Sequence, residues 1–206
     1  TMFLLIGVVG SGIMAERLSP DDVGLQLLQN AMATGAVLVA IISIFGTISA
    51  DFNPAITLGA WALGHRAGRD VAPMVVAQLV GACCGTILAN LMFDLPAVGW
   101  STTDRSGWHL WLAEVVATVG LLLVVFSLVR TTRTSHLPYA VGAYIGGAYY
   151  FTSSTGFANP AVTVGRTLSD TFTGIDPTCA PMFVVVQVVG AGVAVVLLRA
   201  LFPTGD

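Results

Sequence analysis

The amino-acid sequence predicts an all-α integral membrane protein with six transmembrane helices, two re-entrant half-helices and an inverted internal repeat. The first observation is composition: of 206 residues, 55% are hydrophobic and only 9% are charged, whereas a soluble domain carries about 25% charged residues. The mean hydropathy is +0.86. So few charges cannot cover a water-soluble surface, which argues against a soluble enzyme, a disordered chain or a nucleic-acid-binding protein. The 23 glycines favour closely packed membrane helices.

The second observation is a series of six apolar segments, each a candidate membrane span. A helix needs about 20 predominantly apolar residues to cross about 30 Å of hydrocarbon. In chain order the segments are Thr1–Ala15, about Val23–Gly46, Val71–Phe93, Trp108–Val129, Leu137–Phe151 and about Thr178–Leu201. Polar links such as ERLSPDD, GHRAGRD and RTTRTSH separate most of them, so we expect six antiparallel spans in a single transmembrane domain, 1–206.

Two shorter segments, near residues 52–63 and 158–168, are too short to cross the membrane and too apolar for ordinary loops. Each contains Asn-Pro-Ala, in which asparagine is a favoured N-cap and proline suits the first helical position. We therefore predict two re-entrant half-helices. Such backbone is tolerated at membrane depth only where it is buried in protein or lines a water-filled cavity.

The third observation is an internal repeat. FNPAITLG at 52–59 recurs as ANPAVTVG at 158–165, and AQLVGA at 77–82 recurs as VQVVGA at 186–191. Because three spans separate corresponding points, the second copy is inverted in the membrane, which divides the chain into repeats 1–93 and 108–206. Broken helices of inverted repeats meet near the bilayer midplane and form the solute site there.

The start of the chain is shorter than the repeat predicts. TMFLLIGVV resembles TVGLLLVVF, which places Thr1 opposite Thr118. Glu114 precedes Thr118 by four residues, so its counterpart in the first repeat would lie upstream of Thr1. We therefore expect that this chain lacks the cytoplasmic beginning of its first span.

The arginines predict the orientation in the membrane. With both termini on one side, that face carries Arg66, Arg69, Arg130, Arg133 and Arg199, and the opposite face carries Arg17, Arg105 and Arg166. Cytoplasmic loops carry an excess of basic residues. We therefore expect a multi-pass protein of the cell (inner or plasma) membrane with cytoplasmic termini.

Two Asn-Pro-Ala motifs in an inverted repeat make the sequence resemble the aquaporin (major intrinsic protein) superfamily over essentially the whole chain. The resemblance implies a right-handed helical bundle, surrounded by lipid, that conducts water and small neutral solutes passively, without a cofactor, metal or nucleic-acid partner. It also implies a homotetramer in which each protomer holds its own pore. The pore motifs would be Asn53, Pro54, Ala55, Asn159, Pro160 and Ala161. The amides of Asn53 and Asn159 should be free to donate hydrogen bonds into the pore.

The resemblance also implies a selectivity filter on the outer side of the paired motifs. The family typically has an arginine directly after the second Asn-Pro-Ala, where this chain has Val162. The other filter positions fall on Thr34, Gly147 and Gly156. With no arginine and no bulky aromatic, the opening should be wide and resemble an aquaglyceroporin-like bacterial branch that passes glycerol-like polyols or undissociated metalloid hydroxides. Thr163 stands where a glycerol facilitator typically has aspartate, so the match to that class is imperfect.

Several polar residues in or near the spans invite two interpretations. Arg166 lies one helical turn beyond Val162, and pairing with Asp170 at i,i+4 is favoured over a role as replacement filter cation. Glu114 is the one carboxylate well inside a span, and an intramembrane carboxylate is by default a functional or structural site. In this family its E-x-x-x-T context typically braces the loop before a half-helix. Gln78 and Gln187 should support helix packing and loop backbone.

Two other functions remain open from the sequence alone. A secondary transporter also uses inverted repeats and broken helices, but it should carry buried ionisable groups beyond Glu114. A structural membrane protein with a closed pore is the second alternative. The sequence shows no nucleophile, phosphate-binding loop or metal-site spacing, so we do not expect enzyme activity.

Overall fold

The computed structural model describes residues 1–202, and this part of the chain is helical without any β-strand. A short 3₁₀ turn at Thr134–His136 precedes the sixth helix. The helices are α1 (Met2–Leu18), α2 (Val23–Phe45), α3 (Pro54–Ala62), α4 (Gly68–Met92), α5 (Trp108–Arg130), α6 (Leu137–Phe151), α7 (Pro160–Arg166) and α8 (Ala180–Leu201).

The predicted fold class is confirmed. Six long helices and two short ones occur in the predicted order, and no boundary differs from the predicted one by more than three residues. The order long, long, short, long occurs twice, as expected for two repeats. Hydropathy locates these helices well because every long span must present apolar side chains to lipid or to the core.

The outer surface of the bundle is apolar. Large side chains such as Met32, Ile44, Val76 and Val196 are more than half exposed, which suits contact with acyl chains rather than water. Four helices, α2, α4, α5 and α8, are long and apolar enough to cross a bilayer by themselves. Helices α1 and α6 have 17 and 15 residues, or about 26 and 22 Å at about 1.5 Å per residue.

Glycines allow helices to approach closely, both between the two repeats and within the second repeat. A Cβ atom added at Gly142 of α6 would lie 2.7 Å from the carbonyl oxygen of Gly35 in α2. One added at Gly190 of α8 would lie 2.9 Å from the carbonyl oxygen of Val115 in α5. Such backbone contact through small residues is the usual basis of helix association in membranes.

The two half-helices lie inside the bundle rather than on its surface. Most residues of α3 and all but one of α7 are buried. Each half-helix packs against a long helix of the other repeat, α3 against α8 and α7 against α4. The repeats therefore interlock, and the starts of the half-helices face each other in the interior.

Candidate pore

The two Asn-Pro-Ala motifs contact each other reciprocally. Asn53 Nδ2 donates a hydrogen bond of 2.7 Å to the carbonyl oxygen of Ala158, and Asn159 Nδ2 donates one of 2.9 Å to that of Phe52. Phe52 and Ala158, the residues before the two asparagines, both have a φ of 48°. The same left-handed backbone at equivalent positions aims each carbonyl at the opposite asparagine. The N-termini of α3 and α7 thus meet end to end.

The asparagine oxygens cap their own half-helices. Asn53 Oδ1 accepts a hydrogen bond of 2.8 Å from the amide of Ala55. Asn159 Oδ1 accepts from the amides of Ala161 at 2.9 Å and Val162 at 3.2 Å. Pro54 and Pro160 occupy the first helical position, where no N–H is available and none is needed.

The expectation that both side-chain amides are free to donate into the pore requires correction. Each Asn53 and Asn159 amide has two N–H groups, and one of them is used by the opposite carbonyl. The sequence did not reveal this bond because it depends on the facing loop, which comes from the other repeat. One N–H per asparagine remains for a solute.

A cavity of about 310 Å³ extends along the bundle beside these motifs, and both Asn53 and Asn159 line it. Its wall is mainly apolar, from residues of α2, α5 and α6. On α6 the lining residues recur every four positions, as Leu137, Val141, Ile145 and Tyr149. An apolar channel with a few convergent polar groups is the usual form of a small-molecule site.

Three of the four predicted filter residues line this cavity, namely Thr34, Gly156 and Val162. Gly147 does not, and it is exposed on the outside of the bundle. Gly147 is thus not part of the lining of this cavity, and its role in a filter stays a prediction from the family resemblance. Successive helical residues are rotated by about 100°, so a position two residues beyond Ile145 points away from the cavity.

On this part of α6 the residue that lines the cavity is Tyr149. Its side chain is only 4% exposed, and its hydroxyl lies 3.1 Å from Thr34 Oγ1. The cavity wall beside Thr34 therefore contains a bulky aromatic side chain, which the filter expected from the family resemblance did not include. The four-residue spacing of α6 residues was the sequence signal that could have found it.

Arg166 also departs from the favoured interpretation. Within residues 1–202 it forms no ion pair with Asp170, whose carboxylate instead accepts from the backbone amide of Thr102 at 2.8 Å. The Arg166 side chain is 3% exposed and lines the cavity. Its Nε donates to the carbonyl of Thr173, and its guanidinium lies 3.4 Å from the ring centre of Phe157. The segment after α7 turns back and holds the arginine inward.

Glu114 lies beneath the second half-helix, fully buried. Its Oε1 accepts from the amide of Phe157 and its Oε2 from the amide of Ala158, both at 2.9 Å. The side chain of Gln187 donates a third bond, of 2.6 Å, to Oε2. These contacts are those of a brace for the loop that leads into α7. Thr118 is buried nearby, and its hydroxyl has no hydrogen-bond partner in residues 1–202.

The two predicted supporting glutamines occupy equivalent places. Gln187 Nε2 donates to Thr163 Oγ1, and Gln78 Nε2 donates to Thr57 Oγ1, each at 2.9 Å. Each glutamine thereby ties a long helix to the half-helix of its own repeat. In the first repeat Thr57 Oγ1 also donates to Asp51 Oδ2 at 2.9 Å.

An ion pair lies at the opposite end of the cavity from Arg166. Asp51 Oδ2 is 3.0 Å from Arg66 Nη2, and both residues line the cavity together with His65. Within residues 1–202 no group of three histidine, cysteine or acidic side chains is arranged to hold a metal ion. The polar groups that line the cavity are amides, hydroxyls, His65, Arg166 and this one ion pair.

Comparison with known proteins agrees with this geometry. Residues 1–152 match the family model described as major intrinsic protein. The chain is 46% identical to aquaglyceroporin AqpS of Rhizobium meliloti, covering 98% of this chain and 86% of the relative. It is 30% identical to aquaporin AqpM of Methanothermobacter thermautotrophicus, covering 94% and 87%.

Among solved structures, the X-ray structure of the aquaglyceroporin from Plasmodium falciparum has the same fold. The TM-score is 0.76 at 20% identity, and the match covers 98% of this chain and 93% of that one. Together with the paired half-helices and the family match over 1–152, these likenesses identify the chain as a member of the major intrinsic protein family.

Proposed function

We propose that this protein is a passive membrane channel for water and small uncharged solutes, glycerol-like polyols among them. The observation that carries the proposal is the reciprocal contact of Asn53 and Asn159 beside a cavity that both line. Relatives of this family are channels rather than enzymes, and one is named an aquaglyceroporin.

The arrangement suits neutral solutes. Each helix N-terminus carries about half a positive charge, and those of α3 and α7 face each other at the two asparagines. A water or hydroxyl oxygen accepts a hydrogen bond from the remaining amide N–H groups, while a cation is repelled. The apolar wall offers no competing hydrogen-bond partners. A solute that reaches the asparagines therefore replaces its hydrogen bonds to water, one for one, by hydrogen bonds to the amide N–H groups.

The contacts of Glu114 disfavour the secondary transporter. A coupled transporter needs an ionisable group that binds and releases an ion or proton, and Glu114 is the buried carboxylate among the described spans. All three of its donors are protein groups that hold the α7 loop in place. Releasing them in every cycle would leave buried N–H groups unpaired, at about 1–3 kcal/mol each.

The solutes should include molecules larger than water. Val162 is small and lines the cavity at the position where the family typically has an arginine. Glycerol-like polyols and undissociated metalloid hydroxides share the needed chemistry, namely a neutral, compact molecule with several hydroxyl groups. We expect both classes to pass.

Stopped-flow measurements on proteoliposomes test the proposal. Shrinkage in a glycerol gradient should be linear in the gradient and independent of sodium or proton gradients. Saturable, ion-coupled flux would establish a transporter, and the absence of any flux above empty liposomes would establish a closed structural protein.

We also propose that the protein is a homotetramer in the cell (inner or plasma) membrane with cytoplasmic termini. The family resemblance, the apolar outer surface and the arginine distribution support this arrangement. Cross-linking in native lipid should give a ladder of four bands, and a monomer alone would contradict it. Protease protection of a C-terminal tag in sealed inside-out and right-side-out vesicles tests the orientation.

A further inference from the structure

A second, smaller cavity of about 160 Å³ lies beyond the end of the main cavity at which Arg166 is found. Its lining includes Asn30, Arg105 and Phe172. Within residues 1–202, two residues line both cavities, Tyr149 and Arg166. These two side chains therefore mark the place where the two cavities adjoin, and we call the space between them the passage.

The Arg166 guanidinium is aimed into this passage. The residue is 97% removed from solvent by its surroundings, with 3% of its surface exposed. Its Nε is bound to the Thr173 carbonyl. Its two terminal nitrogens form no hydrogen bond with any residue in 1–202, and they are not enclosed within the protein either. Their N–H groups therefore face the space of the cavities.

The ring of Phe157 supports the position of the Arg166 guanidinium. Two guanidinium groups lie near the ring of Phe157, that of Arg166 at 3.4 Å and that of Arg105 at 5.1 Å from the ring centre. The same ring packs edge-on against Phe183 at 5.2 Å, and the Phe157 amide is bound to Glu114. The cation–π contact with this packed ring and the hydrogen bond to Thr173 together hold the arginine side chain in place.

The side chain of Tyr149, on the other side of the passage from Arg166, is also held in place. Its hydroxyl and that of Thr34 lie 3.1 Å apart, and both residues are buried. The passage is thus bounded by a hydroxyl pair and an aromatic ring on one side and by charged N–H donors on the other. The charged N–H groups can donate to a hydroxyl oxygen of a small polyol while the aromatic ring contacts the carbon atoms of the same molecule.

We propose that Tyr149 and Arg166 form the selectivity constriction of this protein, with Arg166 as the cation that excludes positive ions and donates to solute oxygens. This rests on the proposed channel function, because a constriction is selective only if solutes pass. Val162, one turn before Arg166, then widens the inner side without removing the positive charge. The ligand class is a neutral molecule with vicinal hydroxyl groups.

The central test replaces Arg166 by methionine, which keeps a long apolar stem and removes the charge. A unit charge about 6 Å from an ion, at an effective dielectric near 20, changes its rate by about 100-fold. We expect Arg166→Met to raise cation leak at least about tenfold and to raise the glycerol-to-water ratio. Arg166→Lys keeps the charge and should restore cation exclusion, with the glycerol ratio still altered.

Arg199→Met is the matched control. Arg199 is exposed, donates to the Ala62 carbonyl at 2.7 Å and lines neither cavity. Tyr149→Ala is a second, independent variant, which should admit larger polyols while cation exclusion stays intact. Circular dichroism and melting temperature in detergent establish that each variant is folded, and Tyr149→Ala alone decides the proposal if Arg166→Met does not fold.

The outcomes separate the two proposals. If wild-type protein conducts neither water nor glycerol, the channel function itself is wrong, and the constriction falls with it. If wild-type protein conducts both, but Arg166→Met and Tyr149→Ala behave like Arg199→Met, the constriction is wrong and the channel function stands. Changed selectivity in the folded variants supports the constriction.

Discussion

The side-chain amide of Gln187 donates a hydrogen bond of 2.6 Å to the Glu114 carboxylate, which joins α8 to α5 beneath the second Asn-Pro-Ala loop. The same carboxylate accepts the amides of Phe157 and Ala158. Ala158 in turn provides the carbonyl that binds Asn53. One buried carboxylate thus positions the contact between the half-helices, although it does not line the cavity.

Removal of the Glu114 carboxylate should destabilise the protein. Glu114→Ala leaves two buried backbone donors unpaired, at about 1–3 kcal/mol each, so the loss should be about 2–6 kcal/mol. Glu114→Gln should lose less, because one oxygen acceptor remains. Unfolding in a denaturing detergent measures both variants. Glu16→Gln is the control, since Glu16 is half-buried without hydrogen bonds to residues 1–202, and equal losses at both glutamates would refute the brace.

The two asparagines should differ in their effect on stability. Asn159 caps two amides, those of Ala161 and Val162, whereas Asn53 caps one, that of Ala55. Loss of an N-cap costs about 0.5–2 kcal/mol. We expect Asn159→Ala to be more destabilising than Asn53→Ala, by about 0.5–1 kcal/mol, in the same unfolding experiment. If Asn53→Ala were the more destabilising variant, the number of capped amides would not determine the loss of stability.

Glycine substitutions in α8 should separate close helix contact from helix propensity. A Cβ at Gly190 would lie 2.9 Å from the Val115 carbonyl oxygen and 3.0 Å from Thr118 Cβ, whereas one at Gly192 meets nothing within 4 Å. We expect Gly190→Ala to destabilise by about 1–3 kcal/mol through overpacking. Gly192→Ala should be neutral or stabilise by up to about 1 kcal/mol. Thermal unfolding of the two variants, two residues apart on one helix, makes the comparison, and equal effects would contradict the α5–α8 contact.

An arginine at position 162 should reduce the passage of larger solutes. Val162 is 5% exposed and lines the main cavity, so a longer side chain there must enter that space. We expect Val162→Arg to cut glycerol flux several-fold more than water flux, measured by stopped-flow light scattering. Val162→Ile adds little length and is the control. An unchanged glycerol-to-water ratio in Val162→Arg would show that Val162 does not limit solute size.

Much of this architecture was predictable from local sequence patterns. Hydropathy located the long helices, since each must be apolar over its whole length, and the repeated Asn-Pro-Ala placed the half-helix starts at Pro54 and Pro160. The family resemblance also implied that Glu114 braces the loop before the second half-helix. These properties depend on residues that are close together in the chain, so local sequence patterns are enough to predict them.

The direction of individual side chains was decided by the tertiary structure alone. The family resemblance pointed to Gly147, but the face of α6 that is turned to the cavity carries Tyr149, because each helical residue is rotated by about 100°. The bond from Asn53 to Ala158 joins opposite repeats. Arg166 had Asp170 within its own helical spacing, yet the chain after α7 offers it the Thr173 carbonyl and the Phe157 ring. Packing between distant segments determines these contacts, because burial leaves each side chain few partners, and those partners come from other parts of the chain.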